Sequence, residues 1–230
     1  MDVSEREIEL GLRPGIRIGG SFAVPDSARG VVLFAHGSGS SRFSPRNRFV
    51  AEALQRARLA TLLIDLLTPQ EEEEERFTRH LRFDIGLLAD RLAGALEWLA
   101  RETETETLPV GLFGSSTGAA AALVTAAREP DRIGAVVSRG GRPDLAGDWL
   151  QKVRAPTLLI VGGADEVVID LNREALAKLP GVKQLEIVPG ATHLFEESGA
   201  LEVVAGLAAQ WFVDYLDVRP SPWSPEATRI

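Results

Sequence analysis

The sequence predicts an α/β fold, with a doubly wound, mostly parallel sheet and helices on both of its faces. Short apolar runs that resemble strands alternate along the chain with segments of helical periodicity. Several of these runs are continuously apolar, which is typical of central strands covered on both faces. The predicted strands cover residues 31–35, 60–66, 110–113, 133–138, 157–161 and 184–188.

Helical segments with recognisable signals lie between the predicted strands. Ser44 and Pro45 supply a capping hydroxyl and a first-turn proline to one of them. The strongest pattern covers residues 84–101, where apolar residues recur three and four positions apart. A last helix is predicted over residues 200–216. This alternation with strands is the observation that favours a parallel sheet.

Length and composition indicate one globular domain. The chain has 230 residues, of which 45% are hydrophobic and 25% charged, and that is enough for one sizeable core. We predict a single domain over residues 1–218 and a proline-rich tail over residues 219–230. The intervals between the predicted strands are short, so the cap over the sheet is expected to be minimal or absent.

Charge and residue usage exclude several classes of function. The net charge is −8 and no cluster of lysine and arginine occurs, which argues against nucleic acid and anionic membranes as partners. The absence of cysteine removes disulfides, thiolate metal sites and a cysteine nucleophile. No apolar run is long enough to cross a membrane, and the acidic N-terminus does not resemble a secretory signal. We therefore expect a cytoplasmic protein without a thiolate metal site.

The motif Gly-Ser-Ser-Thr-Gly at residues 114–118 is the most informative stretch of the chain. It reads G-x-S-x-G, and it lies between a predicted strand and a helix predicted over residues 119–128. A strand, a sharp turn and a helix in this order expose a serine hydroxyl above the edge of a sheet. Only Ser116 has glycines two positions before and after it, so it is the candidate nucleophile in preference to Ser115.

A serine nucleophile needs a histidine base and a carboxylate that orients the base. Of the three histidines, only His193 follows Ser116, in a loop after a predicted strand and before the last helix. Chain order and loop position make His193 the candidate base.

The candidate acid is Asp165, which follows the predicted strand 157–161 after two glycines. Glu166 and Asp170 are close rivals, although Asp170 looks like a helix cap. We expect the carboxylate to leave the carboxyl end of its strand, the edge that also carries Ser116.

Two backbone N–H groups are candidates for an oxyanion hole, the pair of donors that stabilises a tetrahedral intermediate. One belongs to Thr117, directly after the nucleophile, and the other to Ser38 in a glycine-rich loop after the first predicted strand. His36 in the same loop is interpreted as a bracing residue rather than a catalyst.

These motifs together resemble the α/β-hydrolase superfamily, and within it the dienelactone-hydrolase-like group. The resemblance covers nearly all of residues 15–217 and includes the segments 82–85 and 138–144. It implies a serine esterase that needs no cofactor. The dienelactone hydrolases proper use a cysteine nucleophile, and this chain has none.

The function expected from these residues is that of a carboxylesterase acting on small acyl esters through an acyl-enzyme. The alternatives are hydrolysis of lactones, thioesters or peptides on the same residues, or a binding module without catalysis. Arg139 follows a predicted strand at the functional edge and is a candidate partner for a substrate carboxylate.

Two biased segments leave alternatives open. Residues 71–75 are five consecutive glutamates, interpreted as a solvated loop or helix start, with a mobile rim over a pocket as the alternative. Trp223 in the tail could dock on the body of the protein or on a second subunit, so a homodimer is left open.

Overall fold

The framework of the protein is a sheet of eight strands in the computed structural model, which describes residues 2–13 and 15–216. The strands are β1 (Val3–Arg13), β2 (Ile16–Pro25), β3 (Gly30–Ala35), β4 (Leu59–Ile64), β5 (Val110–Ser115), β6 (Ile133–Arg139), β7 (Thr157–Gly162) and β8 (Lys183–Val188). In the sheet they lie in the order β1-β2-β4-β3-β5-β6-β7-β8. All neighbouring pairs from β4 to β8 are parallel, whereas β1 pairs antiparallel with β2, and β2 with β4.

Helices flank this sheet, as the sequence predicted. In the described residues the α-helices are α1 (Pro45–Arg56), α2 (Pro69–Thr78), α3 (Ile85–Leu99), α4 (Thr117–Arg128), α5 (Glu166–Lys178) and α6 (Ala200–Tyr215). Short 3-10 segments cover Leu81–Phe83 and Pro143–Lys152. None of the described helices is long and apolar enough to span a bilayer.

The central strands are buried on both faces, which explains their continuous apolar runs. In β3, Val31 and Leu33 pack with residues of α3 and α4, whereas Val32 and Phe34 pack with residues of α1 and α6. The predicted α/β fold with a mostly parallel sheet is therefore confirmed, and each of the six predicted strands corresponds to an observed one. Their ends differ by one or two residues.

The hairpin of β1 and β2 was not predicted. In β2 the apolar residues alternate with small and polar ones, as Ile16, Ile18, Phe22 and Val24 show. This period of two is typical of a strand, and it is the signal that would have found the hairpin.

Local hydrogen bonds decide where the predicted helices begin and end. Asp84 accepts a hydrogen bond from Leu87 N at 2.9 Å and caps α3. The helix ends at Leu99 rather than at residue 101, and the Thr105 hydroxyl donates to the Leu99 carbonyl at 2.9 Å. Ser44 caps α1 as expected, because its side chain accepts from Asn47 N.

The glutamate run lies in the first turns of α2, so its interpretation as a helix start is confirmed, whereas its solvation is wrong for two of its members. Glu75 is buried and forms an ion pair with Arg82. Glu71 lies 2.5 Å from Nη2 of the buried Arg91. Residues four apart on a helix share a face, and α2 turns this face inward.

The proposed domain end at residue 218 and the tail 219–230, including Trp223, lie outside the described residues. The single-domain boundary and the docking of the tail stay predictions.

Two glycines allow the turn at residues 114–118 to pack as tightly as it does. A Cβ atom on Gly118 would overlap the carbonyl oxygens of Ala35 and His36, and one on Gly114 would lie 2.7 Å from Ala119 N. The first contact seats the start of α4 against the end of β3. The glycines are therefore needed for close approach of backbone to backbone.

Replacing Gly118 by alanine should lower the free energy of unfolding by about 3 kcal/mol, because the new methyl group meets backbone atoms that cannot rotate away. Urea denaturation followed by circular dichroism measures this change. Gly206→Ala is the matched control, since Gly206 is exposed in α6 and nothing lies within 4 Å of its Cβ position. That variant should gain about 0.5–1 kcal/mol. Equal stability of the two variants would contradict the steric argument.

Candidate active site

The predicted site residues meet at the carboxyl edge of the sheet. Ser38 follows β3, Ser116 follows β5, Asp165 follows β7, and His193 lies in the loop between β8 and α6. Because these strands are parallel, the four loops leave the sheet at the same edge.

Ser116 occupies a strained turn between β5 and α4. Its φ and ψ are 50° and −121°, a conformation that non-glycine residues rarely adopt. Its N–H donates to the Arg139 carbonyl at 3.3 Å, and its carbonyl accepts from Arg142 N at 3.0 Å. The neighbouring Ser115 is buried and donates to Asn47 Oδ1 at 3.0 Å, so its hydroxyl is used within the core.

His193 contacts Asp165 directly. Nδ1 of His193 lies 2.7 Å from Oδ2 of Asp165, and the aspartate side chain is only 17% exposed. Asp165 is the N-cap residue of α5, yet its side chain makes no capping hydrogen bond and is left for the imidazole. In this pairing Nδ1 donates, which leaves Nε2 of His193 as an acceptor.

The two rival acids lie elsewhere on α5. The helix begins at Glu166, so Asp170 is inside it and the interpretation of Asp170 as a cap is wrong. Asp170 instead lies 3.2 Å from Arg173 on the exposed face of the helix. The prediction placed the cap too late because α5 starts directly after the turn that carries Asp165.

The loop of His193 is seated on the end of β7. A Cβ atom on Gly162 would lie 2.6 Å from the Thr192 carbonyl oxygen, so the loop can approach the strand only at a glycine. Thr192 N donates to Glu197 Oε2 at 3.0 Å, and this hydrogen bond lowers the pKa of Glu197. Sequence analysis did not single out Glu197, which carries no motif of its own.

The His193 side chain is hydrogen bonded to Asp165, and no hydrogen bond joins it to the Ser116 side chain in this structure. Two consecutive residues connect the two loops: Arg139 accepts from Ser116 N, and a Cβ atom on Gly140 would be 3.6 Å from His193 Cε1. Hydrogen bonds between a nucleophile and its base are often long before a substrate binds.

The two candidate oxyanion donors are held side by side. The hydroxyls of Ser38 and Thr117 are hydrogen bonded to each other at 3.0 Å. Within the described residues, neither the Ser38 N–H nor the Thr117 N–H donates to another protein group. Gly37 brings their loop against the nucleophile, since a Cβ atom there would be 3.0 Å from Ser116 Cβ.

His36 lies beneath the loop that carries Ser38. Its Nδ1 donates to the Gly37 carbonyl at 2.9 Å, and its Nε2 accepts from Leu66 N at 3.2 Å. The ring therefore joins the loop after β3 to the end of β4. Burial lowers the pKa of His36, which favours the neutral ring that this pair of hydrogen bonds requires.

Arg139 is a buried cation beside this site. Within the described residues, its buried Nε and Nη1 atoms have no hydrogen-bond partner. The guanidinium lies 5.9 Å from the ring centroid of Phe195, two residues after His193. Burial, and then the charge of Arg46, lower the pKa of Arg139 to about 10. Arg46 itself pairs with the exposed Glu196 at 2.9 Å.

Acidic and histidine side chains do not gather into a metal site in this part of the molecule. No group of three or more His, Cys, Asp or Glu side chains among residues 2–13 and 15–216 has a metal-binding arrangement.

Comparisons with known proteins find a matching family and similar chains. The model of the dienelactone hydrolase family matches residues 19–213 of this chain. A Mycobacterium tuberculosis protein with the provisional name phosphoribosyl transferase is 58% identical over 212 residues, which are 92% of this chain and 47% of that protein. The chain thus spans about half the length of the curated relatives that it matches at this identity.

Solved structures extend the comparison. The crystal structure of a dienelactone hydrolase from Anabaena variabilis is 58% identical, with a TM-score of 0.90, over 93% of this chain and 99% of the other. Est1E from Butyrivibrio proteoclasticus is 16% identical with a TM-score of 0.76, over 91% of this chain and 98% of the other, and shares the fold.

The buried His36 should make stability depend on pH near neutrality. The unfolded ring has a pKa of about 6.5, whereas the folded ring has a lower one, so the unfolded chain binds more protons below that pH. The free energy of unfolding should therefore fall as the pH is lowered from about 7 toward the depressed pKa of the folded ring. The slope should reach at most about 1.4 kcal/mol per pH unit.

His36→Gln should lose this component, because its amide oxygen can replace Nε2 as acceptor but does not titrate. Urea denaturation between pH 7.5 and 5.5 measures the difference. His80→Gln is the control, since His80 is exposed, and it should keep the slope of the parent protein. If His36→Gln keeps the parent protein's slope of unfolding free energy against pH, the pH dependence does not come from His36.

Proposed function

Because this chain belongs to the dienelactone hydrolase family, we propose that it is a serine carboxylesterase that cleaves small acyl esters. Membership in this family of α/β-hydrolases confirms the resemblance seen in the sequence and supports a hydrolase acting on a small molecule. The observation that carries the finer proposal is the 2.7 Å contact between His193 and Asp165 at the edge that also bears Ser116. A paired imidazole whose Nε2 is left as an acceptor, at the same edge of the sheet as a strained serine, favours nucleophilic catalysis.

In the proposed mechanism, Ser116 Oγ attacks the ester carbonyl while Nε2 of His193 takes its proton. Asp165 holds the Nδ1–H tautomer and stabilises the imidazolium that forms. The N–H groups of Ser38 and Thr117 donate to the tetrahedral oxyanion. His193 then protonates the departing alkoxide, and an acyl-enzyme remains on Ser116.

Water completes the cycle. With the alcohol gone, His193 activates a water molecule, which attacks the acyl carbonyl and releases the acid with Ser116 restored. Lactones and thioesters would follow the same steps, because only the leaving group differs. The provisional name of the mycobacterial relative belongs to a protein about twice as long, of which this chain matches 47%.

Ser116→Ala should lower kcat for ester hydrolysis by about 10⁴–10⁶-fold, because the acyl-enzyme can no longer form. Steady-state rates with p-nitrophenyl acetate measure this loss, and a fluorophosphonate probe reports the nucleophile directly. Ser115→Ala is the matched control: it removes a hydroxyl bonded to Asn47 and should keep the labelling. Retention of more than a tenth of the rate in Ser116→Ala would refute the proposal.

Arg139 favours a substrate that carries an anion near its leaving group. We propose that its buried guanidinium, which pairs with no acid of the described residues, attracts a carboxylate of the substrate. Arg139 ends β6, on the side of Ser116 toward β7 and β8, which precede Asp165 and His193. The leaving oxygen must also be on this side to receive its proton from His193.

Arg139→Met should therefore lower kcat/KM for 4-acetoxybenzoate by about 10–100-fold, because a charged hydrogen bond is lost. Phenyl acetate, which lacks the carboxylate, should change little, and the ratio of the two rates is the measurement. Arg173→Met removes an exposed arginine of α5 and serves as the control. Equal losses on both esters would show that Arg139 acts through packing alone.

A further inference from the structure

A small cavity adjoins the candidate oxyanion hole. It has a volume of about 20 Å³ and lies between the loop of residues 36–39, Thr117, Leu67 and Leu88. We call it the side cavity. The proposed mechanism gives it no role so far.

The side cavity is lined by residues that contact or follow the nucleophile. Gly37 forms part of its wall, and a Cβ atom on Gly37 would be 3.0 Å from Ser116 Cβ. Thr117, which follows Ser116, forms another part. A group attached to the carbonyl carbon of an acyl-enzyme on Ser116 therefore has the side cavity as its neighbour.

The order of the strands decides which half of an ester faces the side cavity. Asp165 and His193 follow β7 and β8, on one side of β5, so an alcohol that takes its proton from His193 leaves on that side. The acyl group then extends to the opposite side of Ser116, over the ends of β3 and β4. The side cavity is there, since Leu67 follows β4 and the loop 36–39 follows β3.

The walls of the side cavity suit an uncharged group. Leu67 and Leu88 are 6% and 2% exposed and present apolar surface. Arg82, which also borders it, is paired with the carboxylate of Glu75. Burial, with Asp65 and Glu75 nearby, raises the pKa of Glu72 on the same wall. An acyl group with its own carboxylate would meet acids and an occupied cation.

The volume of the side cavity sets a size limit. A space of about 10–15 Å³ holds one water molecule, so about 20 Å³ holds a water molecule or a group of methyl size. A longer acyl chain exceeds this space, so it has to displace Leu67 or Leu88 or extend out of the side cavity, and one methylene changes the specificity of a tight apolar pocket by about 10–200-fold.

We propose that the side cavity receives the acyl methyl group of an acetyl ester, and that Leu67 and Leu88 set the limit on acyl length. This inference rests on the proposed esterase function and adds the acyl class of the substrate. Together with Arg139, it divides the site into a small acyl side without a free cation among its lining residues and a cationic leaving-group side.

The test is a chain-length series of p-nitrophenyl acetate, butyrate and hexanoate on the purified protein. The parent protein should show kcat/KM at least about 10-fold higher for acetate than for butyrate. Leu67→Ala should raise the ratio of butyrate to acetate about 10-fold, because it removes wall atoms of the side cavity. Leu88→Val is the milder second variant and should raise the same ratio by a smaller factor.

Leu92→Ala is the matched control. Leu92 lies one turn beyond Leu88 on α3, is fully buried in the core and does not border the side cavity. Its truncation should lower stability like that of any core leucine and leave the ratio of butyrate to acetate unchanged. A change in the ratio with Leu92→Ala as large as that with Leu67→Ala would overturn the assignment.

The chain-length series distinguishes failure of the proposed esterase function from failure of the proposed limit on acyl length. A parent protein that neither hydrolyses any ester of the series nor reacts with a fluorophosphonate overturns both proposals. A parent protein that does both, with equal kcat/KM for acetate and hexanoate, overturns only the acyl limit. Folded Leu67→Ala and Leu88→Val proteins with the parent ratio overturn it as well.

Discussion

The contact between Gly118 and the carbonyl oxygens of Ala35 and His36 is the constraint on which the site depends. It seats the first turn of α4 against the end of β3, with no side chain between them. This approach brings Thr117 beside Ser38, so that their hydroxyls bond to each other and their N–H groups stay free of other protein acceptors in the described chain. A larger residue would separate the two donors and also move the turn that strains Ser116.

The parallel sheet divides the candidate site into two sides. The oxyanion loop and the side cavity lie over β3 and β4, where the charges of Glu75 and Arg82 are paired with each other. Asp165 and His193 follow β7 and β8. Arg139 is the last residue of β6, which lies between β5 and β7. An ester bound across this edge would have its acyl half beside Leu67, Leu88 and glutamates and its alcohol half beside a cation.

Much of the fold and the candidate site follows from patterns in the sequence, and the errors have local causes. Continuous apolar runs predicted the strands that are covered on both faces, whereas the alternating pattern of β2 was not recognised as a strand. The glutamate run looked solvated because its charge outweighed its helical spacing, which turns Glu71 and Glu75 toward Arg91 and Arg82. Asp170 looked like a cap because the start of α5 at Glu166 has no signal beyond the turn itself.

The sequence by itself determined the proposed reaction class. A serine between two glycines comes first, an aspartate after a later strand comes second, and a histidine comes last, which is the chain order expected for a serine hydrolase of this fold. The sequence also determined that the strands would be parallel, and hence that these residues would share an edge. Only the tertiary structure decided that His193 meets Asp165 and not Asp170, that Arg139 is buried and paired with none of the acids that the structure describes, and that the cavity beside Ser38 is small. These are distances between segments far apart in the chain, and they depend on how closely backbones and side chains pack, which local patterns do not encode.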